Sequence, residues 1–301
     1  MDPLLRDAAR PARLRVGVVG AGRVGAVLGA ALRRAGHALV AVSAVSEASR
    51  GRADALLPGV PVLPVDDVVR AADLVLLTVP DDAVAELVAG LVATGTLPRG
   101  TLLAHTSGRH GLAVLEPAVA AGALPLALHP ALPFAGTAVD LERLVGTAFG
   151  VTAPEPLLPI AEALVLEMGG EPVRLTEQQR PLWHAALAHG ANHLTTLVAS
   201  AADLLRAAGV EAPGPVLGPL LGSALDGALS RGDAALTGPV ARGDAGTVAA
   251  HLEALAAAAP EVLPSYVAMA RLTADRALAS GRLDPERAGA LLAVLGSVSR
   301  S

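Results

Sequence analysis

A glycine-rich turn near the start of the chain constrains the fold more than any other feature. The turn, Gly-Ala-Gly-Arg-Val-Gly at 20–25, follows an apolar run at 15–19 and leads into a helical pattern at 24–35. In such a turn the first glycine permits the tight bend, the second lets the backbone approach a pyrophosphate, and the third lets the helix pack on the strand. Free amides at the start of the helix attract phosphate. The predicted dinucleotide site consists of Gly20, Gly22, Arg23, Val24 and Gly25.

The first half of the chain alternates apolar strand candidates with helical patterns. Continuous apolar strands separated by helices are typical of a parallel sheet that is covered on both faces. The strand candidates are 15–19, 38–43, 74–79, 101–105, 124–129, 148–151 and 171–175. We therefore expect an α/β fold with a doubly wound parallel sheet of the Rossmann-like kind.

The second half shows helical patterns only. After Thr176 the strand signals stop, and Gly and Pro separate helical stretches at 177–208, 215–230, 244–258, 261–280 and 285–298. We expect a Rossmann-like dinucleotide-binding domain at 1–175 and an all-helical C-terminal domain at 176–301. The helical domain would serve substrate binding and dimerisation.

The composition narrows the available chemistry. All 23 Lys and Arg residues are Arg, and Cys is absent, so a strong proton donor must be His, and thiol chemistry is excluded. The net charge is −5 without a basic stripe, which argues against a nucleic-acid partner. The charged N-terminus lacks the apolar segment of a signal peptide, and the longest charge-free runs contain Pro, His or Asn. We therefore expect a cytoplasmic protein that has no membrane span.

The end of the second strand candidate bears on the choice between NAD and NADP. An NAD-binding protein usually has Asp or Glu there, bonded to the ribose 2′-hydroxyl. Here the small hydroxyl groups of Ser43 and Ser46 take that place, and Arg50 and Arg52 follow. We expect NADP and count the Ser residues and Arg50 as cofactor contacts, while Glu47 keeps NAD open as the alternative.

Polar residues also follow two later strand candidates, at the carboxyl edge where open α/β sheets bind ligands. Ser107 follows the fourth candidate, and we expect it near the nicotinamide ribose, both as a cofactor contact and as a candidate catalytic group. Asp81 and Asp82 fit helix capping better than ligand binding. The cofactor candidates after the third strand are Thr78, Val79 and Pro80.

Five segments, taken in this order, resemble those of a known group of proteins. They are Gly20–Gly25, His105–Gly108, His129-Pro130, Trp183–Asn192 and Thr237–Asp244. The chain resembles oxidoreductases with an N-terminal Rossmann-like domain and a C-terminal helical domain of uncharacterised function. These belong to the superfamily of ketopantoate, prephenate, hydroxyacid and pyrroline-carboxylate oxidoreductases. The resemblance covers nearly the whole chain and implies a reductase fold. It leaves the substrate open, and ketopantoate is one suggestion for such proteins.

Two histidines are rival candidates for the proton donor that a hydride transfer needs. The resemblance implies that His184 stands where ketopantoate reductases carry Lys and that Asn192 matches their distal Asn. His184, Ala188 and Asn192 share one helix face, although the ketopantoate pattern has Asn in place of Ala188. His129 resembles the His of the His-Pro pair in prephenate dehydrogenases, which acts on the substrate hydroxyl.

The stretch Thr-Gly-Pro-Val-Ala-Arg-Gly-Asp at 237–244 is polar and rich in Gly and Pro, so we expect a loop. Arg242 offers a planar fork for a carboxylate and Thr237 offers a hydroxyl group, which makes both substrate-binding candidates. Asp244 fits the N-cap of the next helix. His189 and His193 have i, i+4 spacing, but no Cys or following Glu supports a metal site.

These features predict an NADP-dependent oxidoreductase that reduces a small, ketopantoate-like 2-oxo acid. One alternative is an imine reductase of the pyrroline-carboxylate type, and another is a non-catalytic NADP-binding regulatory protein. Apolar helices at 181–202 and 245–259 could bury a subunit contact. We therefore expect a homodimer whose other partner is a small-molecule substrate.

Overall fold

The computed structural model describes residues 13–297. It contains two compact units, which divide between Ala191 and Asn192. The domain boundary that the sequence suggests near residue 175 stays a prediction. Among the described residues, none of the helices combines the length and the apolar character that crossing a membrane requires.

A seven-stranded sheet forms the centre of the first unit. Its strands are β1 (Arg15–Val19), β2 (Ala38–Ser43), β3 (Leu74–Leu77), β4 (Leu102–His105), β5 (Leu124–Pro130), β6 (Ala148–Thr152) and β7 (Glu171–Arg174). They are ordered β2-β1-β3-β4-β5-β6-β7. All seven predicted strands form, and the doubly wound, Rossmann-like class is confirmed.

Helices cover both faces of this sheet. Those of the first unit are α1 (Arg23–Arg34), α2 (Glu47–Leu56), α3 (Val65–Ala71), α4 (Asp81–Ala93), α5 (Glu116–Ala120), α6 (Val139–Arg143) and α7 (Leu158–Glu167). One apolar core lies under α1 and α7 and contains the fully buried Val18 and Phe149. The other lies under α3 and α4 and contains Val75 and Val88. The two cores explain why the strands read as continuous apolar runs.

β6 runs antiparallel to β5, whereas we expected a parallel sheet throughout. The connection between them contains the five-residue helix α6, which spans about 7.5 Å. The seven residues of β5 span about 23 Å. So short a helix does not return the chain to the opposite edge, and β6 begins where β5 ends. As a result, His129 of β5 pairs with Gly150 of β6.

The sheet reverses its winding direction between β1 and β3. From β1 the chain moves to β2 on one side and then returns to β3 on the other. Ligands of open α/β sheets bind at such a switch point, outside the carboxyl ends of the strands. The turn at 20–25 and the segment at 78–80 follow the two strands at this point.

The second unit is helical throughout its described residues. α8 (Arg180–Ala207) runs into it from the first unit, and α9 (Pro213–Arg231), α10 (Gly238–Arg242), α11 (Ala245–Ala258), α12 (Leu263–Ala279) and α13 (Pro285–Ser297) follow. Val248, Ala274 and Leu291 lie at its apolar core without exposed surface. The helical class of the C-terminal region is therefore confirmed.

One local expectation in this unit is wrong. We expected a loop at 237–244, but five of its residues form α10. Pro239 lies in the first turn, where its missing N–H costs nothing, and the left-handed Gly243 (φ +69°) ends the helix. Asp244 caps α11, since its carboxylate accepts the amide of Thr247 at 3.0 Å. That capping prediction is confirmed.

Candidate active site

The glycine turn has the geometry of a nucleotide-binding turn. Gly20 has φ +98°, a left-handed conformation that favours glycine. A Cβ atom there would also lie 2.9 Å from the carbonyl oxygen of Thr78. At Gly25 a Cβ atom would collide with the carbonyl oxygen of Gly20 and the hydroxyl oxygen of Thr78. The packing of the protein itself therefore explains these two glycines.

Gly22 is different, because no protein atom requires glycine at this position. The nearest heavy atom to a Cβ atom built there is the carbonyl oxygen of Gly20, 4.0 Å away. Gly22 is the N-cap of α1, and within 13–297 no side chain caps this helix. The first-turn amides of Arg23 and Val24 therefore form an anion site. The open space and these amides fit the pyrophosphate of a dinucleotide.

Two hydroxyl groups support the turn from inside the protein. Ser43 Oγ accepts a hydrogen bond from the amide of Gly20 at 3.0 Å, and the Thr78 hydroxyl donates to the carbonyl oxygen of Gly20 at 2.6 Å. Ser43 is buried. The structure thus gives both side chains a role in holding the turn, and a contact of Ser43 with a ribose stays a prediction.

A cleft of about 730 Å³ opens at the switch point. A second cleft of about 500 Å³ adjoins it at the end of β2, and the exposed Arg50 lines this second cleft. Ser46 also caps α2, because its Oγ accepts the amide of Ser49 at 3.1 Å. The predicted cofactor residues that line the larger cleft are Gly20, Gly22, Ser43, Ser46, Thr78, Val79 and Pro80.

The expected capping role of Asp81 and Asp82 is wrong. Pro80 occupies the N-cap of α4, and both carboxylates fall in the first turn. There they still favour the helix, because negative charge is stabilising near its N-terminus. Asp82 also accepts a hydrogen bond from Arg109 at 2.7 Å.

His105 holds together the loop that follows β4. Its Nε2 lies 2.8 Å from the carbonyl oxygen of Gly111, and its Nδ1 accepts the amide of Ser107 at 3.2 Å. Burial lowers the pKa of His105 to about 4, so the ring is neutral and its proton lies on Nε2. Ser107 is buried, and its Oγ accepts the amide of His110 at 3.2 Å. These bonds define the loop at 106–111.

Arg180, at the start of α8, clamps this loop to the sheet. Its side chain has no exposed surface. Its guanidinium donates to the carbonyl oxygens of Ser107 (2.6 Å) and His110 and to Thr152 Oγ1 on β6 (3.0 Å). Burial lowers the pKa of Arg180 to about 10, which leaves it charged at neutral pH. Arg180 is not among the site residues predicted from the sequence.

Glu177 binds the same loop as a hydrogen-bond acceptor. Its carboxylate accepts the amide of Leu112. The carboxylate also lies where the side chain of a larger residue at Gly111 would be. The negative charge of Glu177 supports the charged form of Arg180. Because these two side chains are three residues apart, a single helix start fixes both ends of the loop.

An imidazole pair lies beside this loop, at the carboxyl end of β5. The rings of His129 and His184 meet edge to face, with centroids 5.7 Å apart. Nδ1 of His129 accepts the indole N–H of Trp183 at 3.0 Å. Burial, followed by the charges of Arg180 and His184, lowers the pKa of His129 to about 4. The two rival proton donors are therefore neighbours, and His129 is neutral at neutral pH.

Gly108 makes room for both imidazoles. A Cβ atom at this position would lie 2.5 Å from Cδ2 of His184 and 2.8 Å from Nε2 of His129. These distances are shorter than real Cβ contacts, so any larger residue must displace the rings. The loop that Arg180 holds thus borders the imidazole pair directly.

Three other predicted residues belong to the second unit, where each is exposed. Asn192 lies on α8, two turns after His184 on the same helix. Thr237 is the N-cap of α10, and Arg242 is the last residue of that helix. In the described part of the chain Arg242 forms no ion pair. Their roles toward a substrate stay predictions.

Two sequence signals pointed to the missed residues. Trp183 is the single tryptophan in a chain that is 1% aromatic, and a lone indole next to His184 suggests a specific contact. Arg180 directly precedes the charge-free run at 181–202. No sequence signal places Arg180 on the loop after β4 or Trp183 beside His129, because these contacts join positions 73 and 54 residues apart.

Comparisons with known proteins agree with this fold. Residues 1–130 match the family model of a Rossmann-like domain, and residues 147–273 match the model described as a domain of unknown function, DUF2520. Comparison with curated proteins gave no match.

Several solved structures are similar over most of the chain. A Bacteroides fragilis protein named "putative NADP oxidoreductase" is 24% identical, with 87% of this chain and 98% of that chain covered and a TM-score of 0.75. A Thermotoga maritima protein is 20% identical, with coverage of 88% and 99% and a TM-score of 0.65. A Mycobacterium avium protein named "putative oxidoreductase" is 19% identical, with coverage of 90% and 99% and a TM-score of 0.60. At these identities the likeness establishes the fold. The chain thus combines a Rossmann-like domain with a DUF2520 domain that follows it.

Proposed function

We propose that the protein is an NADP-dependent oxidoreductase that reduces the carbonyl group of a small 2-oxo acid. One observation supports the proposal most. The glycine turn after β1, which has space and amides for a phosphate, lies at the same edge of the sheet as the imidazole pair beside β5. Two strands separate β1 from β5, so the strands lie about 14 Å apart at roughly 4.8 Å per strand. The nicotinamide half of a dinucleotide, with a small substrate beside it, suits that distance.

The end of β2 supports NADP over NAD. Ser43, the last residue of β2, replaces the usual carboxylate, and Arg50 lines the adjoining cleft. A guanidinium suits the 2′-phosphate of NADP. Glu47, the residue that kept NAD open, is the first residue of α2, where its charge favours the helix.

The residues of the first unit supply complementary parts of a reduction. Bound NADPH would deliver a hydride to the carbonyl carbon, which leaves negative charge on the oxygen. The neutral His129 offers a hydrogen bond to that oxygen, and His184 beside it supplies the proton. The buried charge of Arg180 is close enough to lower the pKa of His129. The same charge favours an anionic substrate such as a 2-oxo acid.

Thr237 and Arg242 stay the candidates for binding the carboxylate of the substrate, and Asn192 stays a candidate for its carbonyl.

Imine reduction is the second candidate, and the neutrality of His129 favours it. With a pKa of about 4, His129 is not an acid at neutral pH. An imine that arrives already protonated needs no such acid. Replacement of both His129 and His184 by Ala would retain near-full activity with an imine and abolish activity with an oxo acid.

A panel of 2-oxo acids and cyclic imines, followed by NADPH absorbance, tests the proposal. We expect oxidation of NADPH with at least one branched or hydroxylated 2-oxo acid, and a lower Kd for NADPH than for NADH. Binding of NADPH without turnover of any compound would instead favour the non-catalytic regulatory protein.

We also infer that the protein forms a homodimer, through α8 and α9. The sequence suggested 181–202 and 245–259, but the second segment, α11, buries Val248, Leu252 and Leu255 within the chain itself. Large apolar side chains on these helices are exposed in the single chain, and patches of this kind mark protein contacts in soluble proteins. Size-exclusion chromatography with light scattering at micromolar concentration measures the oligomeric state. The exposed side chains are Leu182, Leu194, Leu197, Leu220, Leu225 and Leu229.

A further inference from the structure

The contact between Trp183 and His129 restricts where His129 can carry its proton. The indole N–H of Trp183 lies 3.0 Å from Nδ1 of His129. An indole nitrogen can only donate a hydrogen bond, so Nδ1 must present its lone pair. A neutral imidazole has one N–H group, which then has to be at Nε2. The contact therefore selects one of the two neutral tautomers.

The packing around Trp183 holds the indole in this position. A Cβ atom at Gly150 would lie 3.1 Å from both Nε1 and Cε2 of the indole, so the ring rests directly on the backbone of β6. Gly150 is the strand partner of His129. The donor, on α8, thus rests on β6, and the acceptor lies on β5, the strand that pairs with β6.

The other ring nitrogen of His129 faces a different environment. Nε2 lies next to Gly108, where a methyl group would be 2.8 Å away. Among the described residues it has no hydrogen-bonded acceptor. In His105, by contrast, backbone groups engage both ring nitrogens. His129 is therefore the half-buried imidazole of this site that has one nitrogen hydrogen-bonded and one left for a ligand.

The charged and titratable groups around His129 keep the ring neutral. Arg180, His184 and His105 all disfavour a second proton on it, and within 13–297 Asp81 is the carboxylate that acts in the opposite direction. Burial is the largest cause and acts in the same direction as the first three side chains, and the pKa is about 4. At neutral pH the tautomer, and not the charge, decides what Nε2 presents to a ligand.

We propose that Trp183 is a positioning residue that holds His129 as the Nε2–H tautomer, so that His129 donates a hydrogen bond to the carbonyl oxygen of the substrate. This role rests on the proposed reductase function. It divides the work between the rival histidines, because His129 orients and stabilises the oxygen while His184 delivers the proton. Without the indole donor, the proton can move to Nδ1, and Nε2 would then direct a lone pair at the substrate oxygen.

Nitrogen NMR of the full-length protein with 15N-labelled histidine measures the tautomer without any need for activity. In the native protein at neutral pH we expect Nδ1 of His129 in the pyridine-like range and Nε2 in the pyrrole-like range. The His129→Gln variant identifies the signals by their loss. A native protein whose His129 carries its proton on Nδ1, or on both nitrogens, would overturn the proposal.

The Trp183→Phe variant removes the donor and keeps an aromatic ring. We expect its His129 signals to move toward a mixture of the two tautomers. Tyr266→Phe is the matched control, since the Tyr266 hydroxyl lies 2.8 Å from Nδ1 of His251 in the second unit. That variant should leave the His129 signals in place. Unchanged His129 signals in Trp183→Phe would remove Trp183 from its role.

A second measurement applies if Trp183→Phe does not fold. The chain has one Trp, so the native protein gives a single indole N–H signal. His129→Gln takes away the Nδ1 acceptor, and the indole signal should then shift and exchange faster with solvent. An indole signal that stays the same would contradict the hydrogen bond on which the proposal depends.

Kinetics separate the donor role from a proton-transfer role. Gln can place an amide N–H near the position of Nε2 but cannot titrate. We expect the kcat of His129→Gln to be at least tenfold higher than that of His129→Ala. Removal of one oxyanion donor lowers kcat by about 10²- to 10³-fold, and Gln restores part of that loss. Equal kcat values for both variants would overturn the donor role. Absence of NADPH oxidation by the native protein would overturn the reductase function and leave the tautomer result standing.

Discussion

Arg180 donates a hydrogen bond from Nη2 to the carbonyl oxygen of Ser107, with 2.6 Å between the two atoms. Arg180 is fully buried and also donates to His110 and Thr152, so it connects the loop after β4 to β6. This connection places Gly108 next to the imidazole pair. The loop geometry that the chemistry needs therefore depends on a residue that need not touch a substrate.

Replacement of Arg180 by Ala should lower the free energy of unfolding by about 3 kcal/mol, because buried carbonyl groups would lose their donors. Chemical denaturation measures the change. Arg174→Ala is the control, since Arg174 pairs with Glu162 at the surface and such pairs contribute less than about 1 kcal/mol. Equal losses of unfolding free energy in the two variants would contradict the connecting role of Arg180.

Gly22 and Gly25 should respond differently to the same substitution. Gly22→Ala has space for its methyl group, so the free energy of unfolding should fall by less than about 1 kcal/mol, whereas the Kd for NADPH should rise about tenfold or more. Gly25→Ala should destabilise the protein by about 1–3 kcal/mol, because its methyl group collides with the turn. Calorimetric titration and denaturation measure both quantities. A normal Kd in Gly22→Ala would argue against a pyrophosphate at this turn.

Gly108→Ala should displace both imidazoles, since its methyl group would lie 2.5 Å from His184 and 2.8 Å from His129. We expect kcat to fall on the order of tenfold to a hundredfold, with an unchanged Kd for NADPH. Gly289→Ala on α13, where a methyl group meets open space, is the control and should keep the native kcat. A native kcat in Gly108→Ala would separate the imidazole pair from catalysis.

Arg50→Ala should weaken NADPH binding by about tenfold or more, because a charge-assisted hydrogen bond contributes about 1.5–3 kcal/mol. NADH binding should not change, since NADH has no 2′-phosphate. Arg34→Ala, at an exposed pair with Glu142, controls for the loss of a surface charge. If both dinucleotides lose affinity equally, Arg50 does not select the cofactor.

Stability should decrease as the pH falls from about 6.5 to about 4. Burial lowers the pKa of His105 and of His129 to about 4, below the value of about 6.5 in an unfolded chain. Between these values the unfolded state binds more protons, so acidification favours unfolding by up to roughly 3 kcal/mol per histidine. Urea denaturation across this range measures the effect.

The His129→Gln variant provides the check on that pH dependence. It removes one of the two imidazoles whose pKa is lowered to about 4, so its stability should fall less steeply with acidification than that of the native protein. His251→Gln, which changes an exposed histidine of the second unit, should retain the native slope. Identical slopes for all three proteins would mean that the buried imidazoles do not control the acid response.

Much of the fold follows from local patterns, and all seven strands form where the sequence predicts them. Apolar runs and glycine positions carry that information, because each depends on neighbours close in sequence. The exceptions are instructive. The direction of β6 depended on the length of α6, and the segment at 237–244 became a helix because Pro239 and Gly243 suit its two ends.

The candidate site, like the fold, was predicted from the sequence only where it depends on local patterns. The sequence by itself determined the glycine turn after β1 and the presence of His129 and His184, because a fixed spacing in one segment defines each feature. Only the tertiary structure decided that the two imidazoles are neighbours, that Trp183 donates to one of them, and that Arg180 holds the loop below them. The physical reason is that these contacts join residues about 50–70 positions apart, which meet only because β6 folds back antiparallel to β5 and α8 packs on the strands so paired.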